Sequence, residues 1–232
     1  MNHKWIADKA PCSADHSSWE IVDSYHTLTG DWNLYCDNEW KAGMLDSLFF
    51  LGFAFGASGF GSLADRIGRR RAWACSGVLL SFSVMACAAS PDYFTYCFFR
   101  VLTGVGIGGF GVVTYVLAQE IIGGTWGGIT GIGQAGLFSF ANILLAPTAW
   151  AVPGWRAFTV VTGITPLVFL AFYKMIPESP RWLLSKGETA KANEVMVRIA
   201  EGNGVDIPAG IHLTDAASST PDNEEPTWGR HF

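Results

Sequence analysis

The sequence is poor in charged residues. Only 15% of its 232 residues are Asp, Glu, Lys or Arg, against roughly 25% in a typical soluble domain. Half of the residues are hydrophobic, 10 tryptophans among them, and a further 27 residues are glycines. This composition favours a membrane protein over a soluble domain. The net charge of −5 comes from acids concentrated toward the two ends, so we predict no nucleic-acid partner.

Residues suited to catalysis or cofactor binding are also sparse. The five histidines and five cysteines show no metal-ligand spacing, and no nucleophile lies beside a base in a known motif. The run from Gly104 to Gly111 has the glycines of a dinucleotide loop, but it lies inside a long apolar stretch with no strand before it. The sequence therefore predicts no enzyme activity, no metal and no cofactor.

Long apolar stretches are what the chain has in abundance. The first comprises 21 residues, or about 31 Å of helix, which matches a hydrocarbon thickness of roughly 30 Å. We predict an all-α, multi-pass membrane protein with about five transmembrane helices in contact with the lipid bilayer. The predicted spans are 43–63, 73–90, 94–118, 128–150 and 156–176.

Polar segments flank this transmembrane region, which we place at 43–176. Residues 1–42 are acidic and predict an extracellular loop segment, whereas 177–204 have the pattern of cytoplasmic amphipathic helices. Residues 205–232 are polar and predict a disordered tail. The choice between the plasma membrane and an organelle membrane stays open.

The distribution of basic residues predicts the orientation. The connection between the first two spans is rich in arginine, whereas the next connection has no basic residue. The positive-inside bias therefore places the first connection and the C-terminus in the cytoplasm and the N-terminus outside. Outside, Cys12 and Cys36 are predicted to form a disulfide. The arginines in the first connection are Arg66, Arg69, Arg70 and Arg71.

The first connection also carries a defined spacing, Gly61-x-Leu63-x-Asp65-Arg66-x-Gly68-Arg69-Arg70. Gly61 and Gly68 suit a close approach and a tight turn. Asp65 at the end of a helix is unfavourable for the helix dipole, so it needs the arginines or another helix N-terminus. Two interpretations stay open: a latch that breaks and re-forms, or an anchor that only sets topology.

A second motif, PESPRWLLSKG, runs from Pro177 to Gly187. Pro177 ends the preceding helix, and Ser179 is predicted to cap a new helix that has Pro180 at its first position. Trp182 suits the headgroup level, and Arg181 is able to snorkel toward it. Glu178 and Arg181 join the candidate gating residues.

These motifs resemble a known superfamily. The first is similar to the signature between the second and third helices of the major facilitator superfamily. The second resembles the segment after the sixth helix in its sugar-porter and organic-ion branches. The stretch DWNLYCDNEWKAGMLDSLFFLGFAFGASGFG resembles organic cation and carnitine transporters, and VLAQEIIGG, GWRAF and RIAEGNG agree. The resemblance covers roughly residues 12–204.

The resemblance implies a partial major facilitator bundle. In the family, two halves rock about a central site, and the chain corresponds to the second to sixth helices of one half. It implies a secondary transporter of organic cations or carnitine-like zwitterions, as an N-terminal-half fragment lacking the first helix. We expect no uptake by the chain alone, with the missing half or another copy as its partner. The alternatives are a truncated, non-transporting protein that pairs with full-length relatives, and a sugar porter.

Polar and aromatic residues within the spans are candidates for substrate contact. Asp46 is a cation-binding carboxylate or an interfacial acid. The resemblance places Tyr115 and Gln134 in the family's cavity, with helix packing as the alternative for both, and Phe138 lies one turn beyond Gln134. Glu120 lacks the arginine that follows it in the family. It is expected to pair with Arg69 or Arg70, or to face water.

Overall fold

The structure is a computed structural model, and it describes residues 26–34, 36–122 and 127–204. In this part of the chain the elements are helices joined by short connections, with no β-strand. The predicted disulfide and tail fall outside these residues, because Cys12, the side chain of Cys36 and residues 205–232 are not described. The helices are α1 (Leu28–Asp31), α2 (Glu39–Ile67), α3 (Arg69–Ala88), α4 (Tyr93–Ile122), α5 (Gly127–Ala151), α6 (Trp155–Ala171), α7 (Pro180–Ser185) and α8 (Thr189–Gly202).

Five helices, α2 to α5 and α6 with the 3-10 turn Phe172–Lys174 that continues it, are long and apolar enough to cross a membrane. The predicted all-α architecture with five spans is therefore confirmed. Most helices are longer than the predicted spans, and α2 begins at Glu39, inside the segment expected to be loop. The expectation that the arginines fill a loop between the first two spans is wrong. Both helices continue through the charged residues, because arginine is a good helix former.

Helices α2 and α4 pack closely through glycines. Gly52 and Gly56 of α2 face the backbone of Val101 and Val105, and Gly104 and Gly108 of α4 face the backbone of α2. Four-residue spacing of glycines on both helices lets the two backbones approach. The sequence expectation of close approach is wrong for Gly61, where an added Cβ meets nothing within 4 Å.

Helix α3 lies in the middle of the bundle, in contact with α2, α4 and α6. Trp73 is buried against Phe110, and its Nε1 donates a hydrogen bond to Thr114 Oγ1 at 3.1 Å. Helix α5 contacts α4, but none of its most apolar stretch is buried within the described chain. The bundle thus has a packed side, centred on α3, and an open side at α5.

The next connection, between α3 and α4, is short and polar. Asp92 caps α4, because its Oδ2 accepts from Thr95 N at 2.9 Å and its Oδ1 from Thr95 Oγ1 at 2.7 Å. These hydrogen bonds lower the pKa of the Asp92 carboxyl below its usual range.

The segment 26–34 packs across the starts of α4 and α6. The Trp32 ring contacts those of Tyr93, Tyr96 and Trp155 at centroid distances of 5.0–6.1 Å. Asp31 Oδ2 accepts from Trp155 Nε1 at 2.9 Å and lies 3.8 Å from Arg156 Nε. The DWN and GWRAF stretches of the sequence therefore meet at this end of the bundle, which we call the loop end.

Replacing Asp31 with asparagine should loosen this segment. The variant keeps the shape but removes the charge that attracts Arg156, and we expect a loss of about 1 kcal/mol in local stability. Limited proteolysis at 26–34 should be several-fold faster, as followed by mass spectrometry. The control is Asp37→Asn, an exposed acid before α2. Equal cleavage rates for the two variants would contradict the role assigned to Asp31.

Helices α7 and α8 follow the last span. Ser179 caps α7 by accepting from Trp182 N at 3.2 Å, and Pro180 occupies the first turn, as the sequence predicts. Ala192 of α8 is fully buried, whereas Glu194 and Arg198 of the same helix are exposed. This alternation agrees with the amphipathic pattern of 177–204.

Candidate functional site

The turn between α2 and α3 is a single residue, Gly68. Its φ of +102° lies in the region that favours glycine. A Cβ at this position would lie 2.6 Å from Glu178 Oε2. Gly68 thus permits both a sharp turn and close contact with the chain after α6. We call this end of the bundle the Arg-rich end.

Arg69 is the centre of an ion-pair cluster at the Arg-rich end. Its Nη1 lies 2.6 Å from Asp65 Oδ1, one turn earlier across the bend. Its Nε and Nη2 donate to the two carboxylate oxygens of Glu120, each at 3.2 Å. The Arg69 and Glu120 side chains are only 14% and 15% exposed, whereas Asp65 is 66% exposed. Among the expectations for Glu120, the structure thus shows pairing with Arg69 rather than exposure to water.

Glu178 joins the segment after α6 to the start of α3. Its Oε1 accepts from the backbone N–H groups of Arg70 and Ser179 at 3.0 and 3.1 Å. The carboxylate therefore satisfies backbone donors at the start of α3 and carries the charge that a helix N-terminus favours. Trp182 Nε1 donates to the Asp65 carbonyl at 3.0 Å and so joins α7 to the end of α2.

The cluster holds four helices, α2, α3, α4 and α7, in one arrangement. Its hydrogen bonds are charge-assisted, and the Arg69–Glu120 contact uses the paired geometry that strengthens such bonds. Arg66 and Arg181, also singled out from the sequence, are exposed and form no ion pair with the described residues. Sequence reasoning missed Tyr173, whose carbonyl accepts from Arg70 Nε at 3.1 Å and whose ring lies under that guanidinium. No motif signalled it.

A second feature is a cavity of about 500 Å³ between α4 and α5. Gln134 lines it, and its Oε1 is buried with no hydrogen-bond partner among the described residues. Such an atom is costly to leave unsatisfied. The lining residues are Thr114, Ala118, Ile122, Ile129, Thr130, Gly133, Gln134 and Leu137.

The other predicted substrate residues lie in different places. Tyr115 is half-exposed beside Gly131 of α5, near the cavity but not in its lining, and Phe138 is 71% exposed. Asp46 Oδ1 lies 3.8 Å from Arg100 Nη2 and is an ion-pair partner. Tyr115 follows Arg100 by 15 residues on α4, which separates them by about 22 Å. One small ligand cannot contact both Asp46 and Tyr115 in this arrangement.

The five spanning helices and the cluster at their Arg-rich end define a multi-pass membrane protein with a partial major facilitator bundle. The inward-open xylose transporter XylE from E. coli superposes with a TM-score of 0.63 at 18% identity, over 82% of this chain and 47% of the transporter. XylE bound to 6-bromo-6-deoxy-D-glucose gives a TM-score of 0.57 at 21% identity, over 70% and 40%. At this level of identity the similarity shows the fold alone.

The chain belongs to the family described as sugar (and other) transporter, whose model matches residues 8–225. It is 37% identical over 205 residues to organic cation/carnitine transporter 4 of Arabidopsis thaliana, covering 87% of this chain and 39% of the relative. It is 34% identical over 198 residues to the organic cation transporter protein of Drosophila melanogaster, covering 84% and 36%. The resemblance predicted from the motifs is confirmed. The chain spans about two fifths of the length of these relatives.

Proposed function

We propose that the chain is part of a secondary transporter for organic cations or carnitine-like zwitterions. The similarity to relatives named as organic cation and carnitine transporters supports this substrate class. The observation that carries the proposal is the α4–α5 cavity with the buried Oε1 of Gln134, which has no hydrogen-bond partner in the described part of the chain. A partly negative carbonyl oxygen in an apolar cavity suits the positive end of an organic cation better than an anion.

The volume of the cavity agrees with this class of ligand. About 500 Å³ is in the range of small-molecule sites, which are mostly apolar with a few placed polar groups. Tyr115 lies beside the cavity, and we propose that its ring adds a cation–π contact when α4 and α5 close around the ligand. Phe138 is assigned to the same wall of α5, one turn beyond Gln134.

Replacing Gln134 with leucine should weaken cation binding. We expect about tenfold weaker binding of tetraethylammonium or carnitine, because leucine fills the same space but removes the polar oxygen. The measurement is isothermal titration of the purified chain in detergent. Asn142→Leu is the matched control, since this exposed amide of α5 donates to the Phe138 carbonyl of its own helix. Xylose serves as the alternative ligand, and preferential xylose binding would favour a sugar porter.

We further propose that the ion-pair cluster is a conformational latch. The partners of Arg69 and Arg70 come from α2, α4 and the segment after α6, so movement of these helices requires that the bonds break. We propose that the Arg-rich end faces the cytoplasm, because basic residues are concentrated there. In that case Arg66 and Arg181 help to set the orientation of the chain in the membrane and are not part of the latch. Rocking of two halves, which the resemblance to the major facilitator superfamily implies, would alternately form and open these contacts.

A second candidate function rests on the open face of α5. Its apolar stretch is not buried by any described part of the chain, which suits a protein that pairs with another chain. Cross-linking from cysteines introduced on α5, followed by mass analysis, would detect such pairing. A cross-linked complex without measurable cation binding would favour a non-transporting partner protein over the transporter.

A further inference from the structure

A second cavity lies at the Arg-rich end, beside the ion-pair cluster. Its volume is about 280 Å³, and it is formed where the start of α3 meets α7 and α8. We call it the α3–α8 cavity. Its lining residues are Ile67, Arg70, Arg71, Tyr173, Glu178, Trp182, Leu183, Glu188 and Lys191.

The two acids in this lining already have partners. Glu178 accepts from the backbone N–H groups of Arg70 and Ser179 at 3.0 and 3.1 Å. Glu188 Oε2 lies 2.8 Å from Lys191 Nζ. Neither carboxylate forms a side-chain ion pair with the two arginines, and the three cations and two carboxylates of the lining leave a net charge of +1.

The side chains of Arg70 and Arg71 bring two positive charges to the cavity. Arg70 donates to the Tyr173 carbonyl at 3.1 Å, and its guanidinium lies 4.2 Å from the centre of the Tyr173 ring. Arg71 is exposed, and no ion pair to a described carboxylate involves either arginine. Lys186 adds a further cation, 5.7 Å from the centre of the Trp182 ring. The cavity thus combines a net positive charge with two aromatic rings.

We propose that the α3–α8 cavity binds a phosphate group of an anionic ligand, most simply the headgroup of an anionic phospholipid. Guanidinium groups bind phosphate through strong, charge-assisted hydrogen bonds. Tyrosine and tryptophan prefer the membrane interface, and basic residues beside a spanning helix attract anionic lipids. The cavity has room for a phosphate group with its bound water. A bound headgroup joins α8 to the start of α3, next to the cluster around Arg69.

The test compares lipid retention by the purified 232-residue chain and its variants in nanodiscs. The discs contain phosphatidylcholine with a minor fraction of phosphatidic acid, and native mass spectrometry counts the lipids that stay bound. The double variant Arg71→Gln, Lys191→Gln should retain phosphatidic acid roughly 25-fold less well, since each cation near the surface contributes about fivefold. Arg71→Lys with Lys191→Arg keeps both charges and should retain most binding.

The matched control removes two charges outside the cavity. Arg181→Gln with Arg198→Gln changes two exposed cations of α7 and α8, and we expect less than about twofold loss. Equal losses in the two double variants would overturn the site in favour of general surface attraction, as would equal retention of phosphatidic acid and phosphatidylcholine. Displacement of the lipid by millimolar inorganic phosphate would identify a soluble phosphate as the source. If the lipid stays bound in the presence of phosphate, the source of the bound phosphate group is the membrane.

Discussion

Replacing Gly56 with alanine is expected to destabilise the bundle by about 2–3 kcal/mol. The added Cβ would lie 2.7 Å from the Cα and the carbonyl carbon of Val105 on α4. Backbone atoms cannot rotate away as a side chain can, so the two helices must separate along the contact. The measurement is the free energy of unfolding of the purified chain, from titration with sodium dodecyl sulfate followed by far-ultraviolet circular dichroism.

Gly59 provides the matched control on the same helix. An added Cβ at Gly59 meets nothing within 4 Å, so Gly59→Ala should leave stability unchanged or raise it by up to about 1 kcal/mol. Because the clash at Gly56 involves the backbone, shortening the partner with Val105→Ala should not rescue Gly56→Ala. Equal effects at Gly56 and Gly59, or rescue by Val105→Ala, would contradict the close backbone packing of α2 on α4.

The second large effect is expected for Arg69→Gln. This change leaves the Glu120 carboxylate, which is 15% exposed, without its cation. Removing one partner of a largely buried pair is more costly than the pair itself contributes, and we expect a loss of about 3 kcal/mol. The same unfolding titration measures it. Adding Glu120→Gln to Arg69→Gln should recover part of the loss, because the uncompensated charge disappears.

Arg198→Gln is the control for Arg69→Gln. Arg198 pairs with Glu194 one turn earlier, as Arg69 does with Asp65, but both members of that pair are about 70% exposed. An exposed pair of this kind contributes about 0.5 kcal/mol or less. Losses of similar size at the two arginines would show that the cluster adds nothing beyond surface attraction.

Arg69→Lys separates a latch from an anchor of topology. An anchor depends on charge alone, so lysine should preserve orientation and stability. A latch depends on the two parallel hydrogen bonds from guanidinium to Glu120, which an ammonium group cannot reproduce. A stability loss for Arg69→Lys close to that of Arg69→Gln would support the latch. If Arg69→Lys is as stable as the wild type, the function that remains for Arg69 is to set the orientation of the chain in the membrane.

Local chemistry allowed much of the fold to be predicted. The number of spans follows from apolar length, because a helix must hide its backbone polar groups within a membrane of nearly constant thickness. The cap of α7 follows from Ser179 and Pro180, whose side chains act within one turn of their own position. The two motifs around Gly68 and Glu178 contain most of the residues that form the cluster, so the sequence also indicated where it lies.

Pairings between distant segments were decided only by the tertiary structure. Arg69 and Glu120 are 51 positions apart, and Arg70 and Glu178 are 108 apart, so no local pattern relates them. The sequence equally could not show that Gly56 packs against the backbone of Val105 whereas Gly61 has no such neighbour. Nor could it show that Asp46 pairs with Arg100, which lies about 22 Å along α4 from Tyr115. A residue's type and spacing determine which helix face it occupies. Which neighbour meets that face depends on how every helix packs, because each contact also requires the others to fit.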